Sequence, residues 1–218
     1  MLYADRLDAG RKLAQLLLRY RDAEPFVLAL PRGGVVVGSE IARALDAPLD
    51  VLVVRKLGAP MNPEFGFGAI APEGVRYVDH HTVQMLGLTP QEIDDVVGTE
   101  SAELNRRVRL YRGNRPEPEI RGKSVIRVDD GLATGGTARA AIRYARTAVP
   151  RQLILAVPVA PTDTVSRLRE EVDELICPAV RSDFSAIGAW YQDFEQTTDE
   201  EVLELLAASR VRVQSGAR

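Results

Sequence analysis

The segment VIRVDDGLATGGTARAA, Val125 to Ala141, sets two adjacent carboxylates, Asp129 and Asp130, against a run of glycine and threonine. An apolar, strand-like stretch precedes it and a helix-like one follows. Gly131, Gly135 and Gly136 carry no Cβ, so the backbone there can turn sharply and bring its N–H groups close to a ligand. Thr134 and Thr137 add hydroxyl donors, and a helix beginning at this point turns its positive end toward the same spot. Those donors suit a phosphate monoester. Asp129 and Asp130 repel a phosphate and must face something else: a vicinal diol, a metal ion or a developing positive charge.

A second candidate cluster is LALPRGG, where an apolar run stops at Arg32, Gly33 and Gly34 before the helix-like VVVGSEIARAL. A glycine pair alone is common at such turns. Arg55 and Lys56 end a third apolar run, and residues 57–74 that follow are dominated by glycine and proline, a length unusual for a plain connection. Within it, GFGAIA lacks the final glycine of a dinucleotide fingerprint and precedes a short strand instead of opening a long helix, so that reading is rejected.

The elements that must position these residues alternate. An amphipathic first helix has Leu13, Leu16, Leu17 and Tyr20 on one face, with Asp8 as its expected N-cap. Strands are expected at 26–30, 49–57, 75–79, 124–128, 153–159 and 173–177, with helices at 35–45, 89–115 and 137–149 and a short one before the last strand. Apolar strands alternating with helices predict a parallel sheet covered on both faces. Ligands of such sheets bind at the carboxyl ends of the strands. Three of the strands run into unusual turns at that end: Pro31 to Gly34, Arg55-Lys56, and Asp129 to Thr137.

The loop from Asp129 to Thr137, taken with its strand, resembles the phosphoribosyl diphosphate (PRPP) signature of type I phosphoribosyltransferases, and LALPRGG is similar to their diphosphate loop. The resemblance implies an α/β fold of that family: a central, mostly parallel sheet flanked by helices, with a flexible flap and a small C-terminal hood. It would form one domain over residues 1–218, with its core at about 8–180 and the hood at about 181–210. It further implies that Ala133, Thr134, Gly135, Gly136 and Thr137 hold the ribose 5-phosphate and that Asp129 and Asp130 address the ribose hydroxyls. Arg32, Gly33 and Gly34 would grip the diphosphate, with added positive charge from Arg55 and Lys56. Residues 57–74 are similar to the flap that covers PRPP, which makes Glu64 a candidate contact when it closes. The C-terminal aromatics are loosely similar to the purine enzymes' hood, with Trp190 a candidate base platform.

The implied activity is Mg²⁺-dependent transfer of ribose 5-phosphate from PRPP to a nitrogenous base, with purines slightly favoured and diphosphate released. Mg²⁺ would be held mainly by PRPP oxygens, with Asp129 and Asp130 as candidate additional ligands, and Asp130 as a candidate base. Neither the adenine-type nor the orotate-type specificity pattern is present. The alternative is a non-catalytic PRPP- or nucleotide-binding regulator on the same fold, and a third reading is a hydrolase using the same phosphate cradle. Homodimers are common among the enzymes resembled.

Composition narrows the partners. Of 218 residues, 45% are hydrophobic and 27% charged, enough to bury a substantial core. A net charge of -3 and a pI near 5.6 give no general attraction to nucleic acid or to an anionic membrane. Cys177 is the sole cysteine, which excludes an intrachain disulfide and predicts a cytoplasmic setting. Charges from Asp5 to Lys12 stand where a signal peptide needs an apolar core, and no run approaches the roughly 20 apolar residues of a membrane span.

Several features have plain structural expectations. Asp79-His80-His81 matches a short phosphoesterase signature but is expected to cap a helix. Arg106, Arg107, Arg109, Arg112 and Arg115 are expected to form a salt-bridged helix face with Glu100 and Glu103. Thr198 and Glu201 have the spacing of a capping box opening a last helix. Arg127 is the anomaly, a cation within the apolar run before the acids; it is expected to face a cleft or pair with an acid.

Overall fold

The computed structural model describes residues 2–216. Five apolar stretches pair in parallel in the order β2-β1-β6-β7-β9: β1 (Pro25–Ala29), β2 (Leu49–Val51), β6 (Ser124–Val128), β7 (Gln152–Ala156) and β9 (Glu174–Ile176). Successive residues of a strand face opposite sides of the sheet, and the core divides accordingly. Val27, Ala29, Ile126, Val128, Ile154 and Ala156 join a cluster with α1 (Arg6–Leu17), α2 (Gly33–Leu45) and α7 (Asp199–Gly216). Phe26, Leu28, Val125, Leu153 and Leu155 join the opposite cluster with α5 (Gly136–Thr147) and α6 (Thr162–Arg169). The expected fold class is therefore present: α/β, with a parallel sheet flanked by helices on both faces.

Two expected strands are broken. Residues 49–57 do not run as one strand, because after β2 the chain leaves the sheet at Leu52, whose N–H reaches Ala29 O at 2.9 Å. It then begins β3 (Arg55–Ala59), which pairs antiparallel with β4 (Asn62–Ile70), itself paired with β5 (Arg76–Val78). The glycine- and proline-rich stretch expected as a flap thus contains a nine-residue strand of this second sheet. The run 153–159 is interrupted at Pro158, which has no N–H to continue a ladder. Beyond it, β8 (Val159–Pro161) pairs instead with β10 (Ala179–Arg181).

The remaining helices are α3 (His80–Leu86) and α4 (Pro90–Arg112). Thr89 and Glu92 form a capping box at the start of α4, and Thr198 and Glu201 make the reciprocal bonds expected at the start of α7. Asp79 caps α3 by accepting from the His81 and Thr82 N–H groups. One cap differs: Asp5, not Asp8, caps α1, its carboxylate accepting the Asp8 N–H at 2.7 Å. Asp8 is free to pair with Lys12 one turn on, at 2.8 Å.

Candidate active site

Strand β6 ends at Val128, and the next two residues are the acids. Gly131 and Leu132 are buried under Val159, whose carbonyl takes the Leu132 N–H at 3.0 Å. Ala133 and Thr134 are exposed, and the Thr164 hydroxyl on α6 donates to Ala133 O at 2.7 Å. Gly135 then caps α5 at φ +82, a conformation open to glycine, and a Cβ there would sit 3.0 Å from Thr164 Cγ2. Open space surrounds the Cβ position of Gly136. Residues 133–137 therefore form a braced loop at the N-terminus of a twelve-residue helix, with unbonded backbone N–H groups at its mouth.

Adjacent strand β1 delivers the other loop to the same edge. The Leu30 N–H reaches Val128 O at 2.9 Å, and α2 begins at Gly33. The two loops interlock. A Cβ on Gly33 would lie 2.0 Å from Asp130 Oδ2, and one on Gly34 would lie 2.9 Å from Asp129 Cα. Two glycines are what let the first loop lie against the acids.

Asp130 is held from three sides. Arg6 Nε, from α1, donates to its Oδ2 at 2.8 Å, with the two side chains only 12% and 14% exposed. The Tyr191 hydroxyl donates to its backbone carbonyl at 2.6 Å. Burial raises the pKa of Tyr191, so the phenol stays a donor. Asp129 uses Oδ1 to accept the Asp130 N–H at 2.9 Å and lies 3.6 Å from Arg127. Burial, with the neighbouring Asp130 charge second, pushes the Asp129 carboxyl above the usual carboxylate range, and Arg127 opposes this. Arg127 itself is fully buried, and none of its guanidinium nitrogens has a hydrogen-bond partner.

Arg32 opens the first loop, but its guanidinium is 3.9 Å from Asp199 at the start of α7, which also accepts from the Tyr111 hydroxyl. Arg55 donates to Glu100 on α4 at 2.8 Å, and Lys56 Nζ contacts Glu64 O at 3.1 Å and its carboxylate at 3.4 Å. Arg55, Lys56 and Glu64 line a cavity of about 520 Å³ between the β3–β4 hairpin and α4, to which neither glycine loop contributes. Trp190 packs beside Phe184 at 6.4 Å and under Arg181 at 4.7 Å. The residue of that turn that meets the acid loop is Ile187, which crowds Gly131.

Of the basic stripe along α4 and just beyond it, Arg106, Arg107, Arg112 and Arg115 meet acids, only Glu103 being one of the two expected. Arg106 and Arg107 pair with Glu103, whose carboxyl they hold down to about 2. Arg112 and Arg115 reach Asp50, and Arg112 also meets Glu117. Glu100 serves Arg55 instead of the stripe. Arg6, Tyr191, Phe194 and Thr164 were not anticipated as site residues. The aromatic clustering at 184–194 hinted at the two rings, whereas nothing local to Arg6 marks it, since Asp130 lies 124 positions away.

The phosphoribosyl transferase domain model matches residues 2–192. The chain belongs to this family. "Putative phosphoribosyl transferase Rv0571c" from Mycobacterium tuberculosis strain H37Rv is 44% identical over 217 residues, covering 99% of this chain and 49% of that protein. A counterpart in strain CDC 1551 matches to the same extent. The chain thus spans about half the length of the curated relatives it matches. The crystal structure of TT1426 from Thermus thermophilus is 39% identical, covers 95% of this chain and 99% of that one, and superposes with a TM-score of 0.81. No helix among the described residues is long and apolar enough to cross a membrane.

Proposed function

We propose that this domain transfers ribose 5-phosphate from PRPP to a nitrogen of a base, with purines favoured, and releases diphosphate. The observation that carries this reading is the interlock of Gly33 and Gly34 with Asp129 and Asp130 at the carboxyl ends of adjacent parallel strands. On this reading, phosphate cradle, acid pair and diphosphate loop would follow the order of groups along PRPP itself. The N-terminus of α5 and the Thr134 and Thr137 hydroxyls bind the 5-phosphate. Asp129 and Asp130 accept from the ribose hydroxyls, and the N–H groups around Gly33 and Gly34 take the diphosphate. As the C1–O bond to diphosphate breaks, the acid pair stabilises positive charge on the sugar. The new C1–N bond forms as the base nitrogen gives up its proton, for which Asp130 is the candidate acceptor.

No three acid, histidine or cysteine side chains among the described residues form a metal cage. Two adjacent carboxylates, one already paired with Arg6, fit a metal that arrives on substrate oxygens. Asp129 and Asp130 would complete its coordination, and Mg²⁺ would neutralise the leaving diphosphate. The solitary cysteine supports a reducing, cytoplasmic setting for this chemistry.

A second reading, a regulator that binds PRPP or a nucleotide without turnover, is favoured by the engagement of Arg32, Arg55 and Lys56 with Asp199, Glu100 and Glu64. The test is diphosphate release from Mg²⁺-PRPP in the presence of a panel of purines and pyrimidines. Base-dependent release, reduced at least about a hundredfold in an Asp129→Asn, Asp130→Asn variant, supports the transferase. PRPP binding with no ribosylated product from any base supports the regulator.

A further inference from the structure

The Arg6 side chain stands where three parts of the chain meet. Its Nε donates to Asp130 Oδ2 at 2.8 Å, Nη1 donates to Glu195 O at 2.7 Å, and the guanidinium lies 3.8 Å from the centre of the Phe194 ring. Phe194 packs on Tyr191 with ring centres 4.9 Å apart, and the Tyr191 hydroxyl returns to the Asp130 carbonyl. Asp130, Arg6, Phe194 and Tyr191 therefore form a closed ring of contacts that fixes both the carboxylate and the backbone of one acid. Gly33 is part of its geometry, because a Cβ would lie 2.5 Å from Arg6 Nε.

We propose that Arg6 is a positioning residue for Asp130: by occupying Oδ2 it leaves Oδ1 directed to the sugar, and it ties that orientation to the C-terminal segment at 191–195. This rests on the reading of Asp130 as a ribose contact. Two adjacent carboxylates repel, and a single fixed cation on one oxygen of the pair relieves the repulsion while leaving the other oxygen of that carboxylate unoccupied by the guanidinium. A guanidinium suits the task because its planar fork bonds two acceptors at once while stacking on an aromatic face.

Arg6→Met, Arg6→Lys and Tyr191→Phe test the assignment by calorimetry with ribose 5-phosphate, Mg²⁺-PRPP and Mg²⁺-diphosphate, and by amide hydrogen exchange without ligand. Arg6→Met is expected to weaken ribose 5-phosphate and PRPP about tenfold, to change diphosphate affinity less than threefold, and to speed exchange at Asp130 and Gly131. Arg6→Lys keeps the charge but loses the planar fork, and is expected to recover only part of the sugar affinity lost in Arg6→Met. Tyr191→Phe, which removes one hydroxyl, should shift exchange in the same direction with a smaller loss of affinity. Equal weakening of diphosphate and ribose 5-phosphate would make Arg6 a diphosphate contact and overturn the proposal, as would unchanged sugar affinity and exchange in Arg6→Met. Failure of the wild-type protein to bind either sugar phosphate would overturn the functional reading, while the exchange comparison would still decide whether Arg6 holds Asp130.

Discussion

Replacing Arg127 with Met and Asp129 with Asn together is expected to stabilise the fold. Arg127 occupies the middle of the sheet, in register with Leu28 on β1 and Leu155 on β7, on the face that carries the α5–α6 core. Its side chain is 0% exposed, its nitrogens make no hydrogen bond, and the nearest opposite charge is Asp129 Oδ2 at 3.6 Å. An ion pair in that setting recovers little of the cost of removing a guanidinium from water; replacing both partners with uncharged side chains of similar volume is neutral or stabilises by about 1–4 kcal/mol, whereas removing one partner alone costs about 3–5 kcal/mol. Met matches the length of the stem and fills irregular space. An amide at position 129 can still accept the Asp130 N–H and keeps some contact with water, the native side chain being 18% exposed, so the gain is expected near the middle of the stabilising range, about 2 kcal/mol. For a chain of this length each kcal/mol shifts Tm by about 2–4 °C, so the midpoint should rise by about 4–8 °C. Urea unfolding and a thermal scan of both proteins measure it. A loss of more than about 1 kcal/mol in the double variant would refute the reasoning and show that the ion pair is compensated in place.

Three further outcomes follow from the site. Gly33→Ala should fold, at a cost of about 1–3 kcal/mol from overpacking, yet lose more than about tenfold in PRPP affinity, because the added methyl occupies the space of the Arg6–Asp130 pair; calorimetry beside a thermal scan separates the two effects. Thr164→Val removes the 2.7 Å bond to Ala133 O and should cost about 1 kcal/mol of stability while weakening ribose 5-phosphate binding, both read from a titration followed by thermal shift. Burial pushes the Cys177 thiol up to about 11, so at pH 8 far less of it is thiolate than of a free thiol. Iodoacetamide should therefore label the native protein slowly at pH 8, faster as pH rises toward 11, and readily once urea unfolds it.

What the sequence discloses here is what local chemistry dictates. SVIRV forms β6 over the expected residues because an apolar run bounded by a charged turn has few other uses, and the acids and glycines after it mark the loop without reference to the rest of the chain. The helix after Gly135 and the box at Thr198–Glu201 are equally local. Legibility fails where distant residues decide. Leu52 to Val54 are as apolar as the strand before them, so only the pairing of β3 with β4 reveals that the chain has changed sheets. Arg55 and Lys56 read as spare positive charge, but the fold gives them Glu100 and Glu64. Trp190 stands out by type, whereas packing brings Ile187 and Tyr191 of the same segment to the acid loop. Arg6 looks like one surface charge among several until α1 folds against the sheet edge.

The central claim, that the interlocked loops form a PRPP site, is tested most directly by calorimetric titration of Mg²⁺-PRPP into the purified protein and into an Asp129→Asn, Asp130→Asn variant. Saturable, metal-dependent binding to the first, lost or weakened at least about tenfold in the second, is the predicted result. Absence of binding to the wild-type protein, or equal affinity in the variant, would contradict the claim and leave the cradle to another phosphorylated ligand.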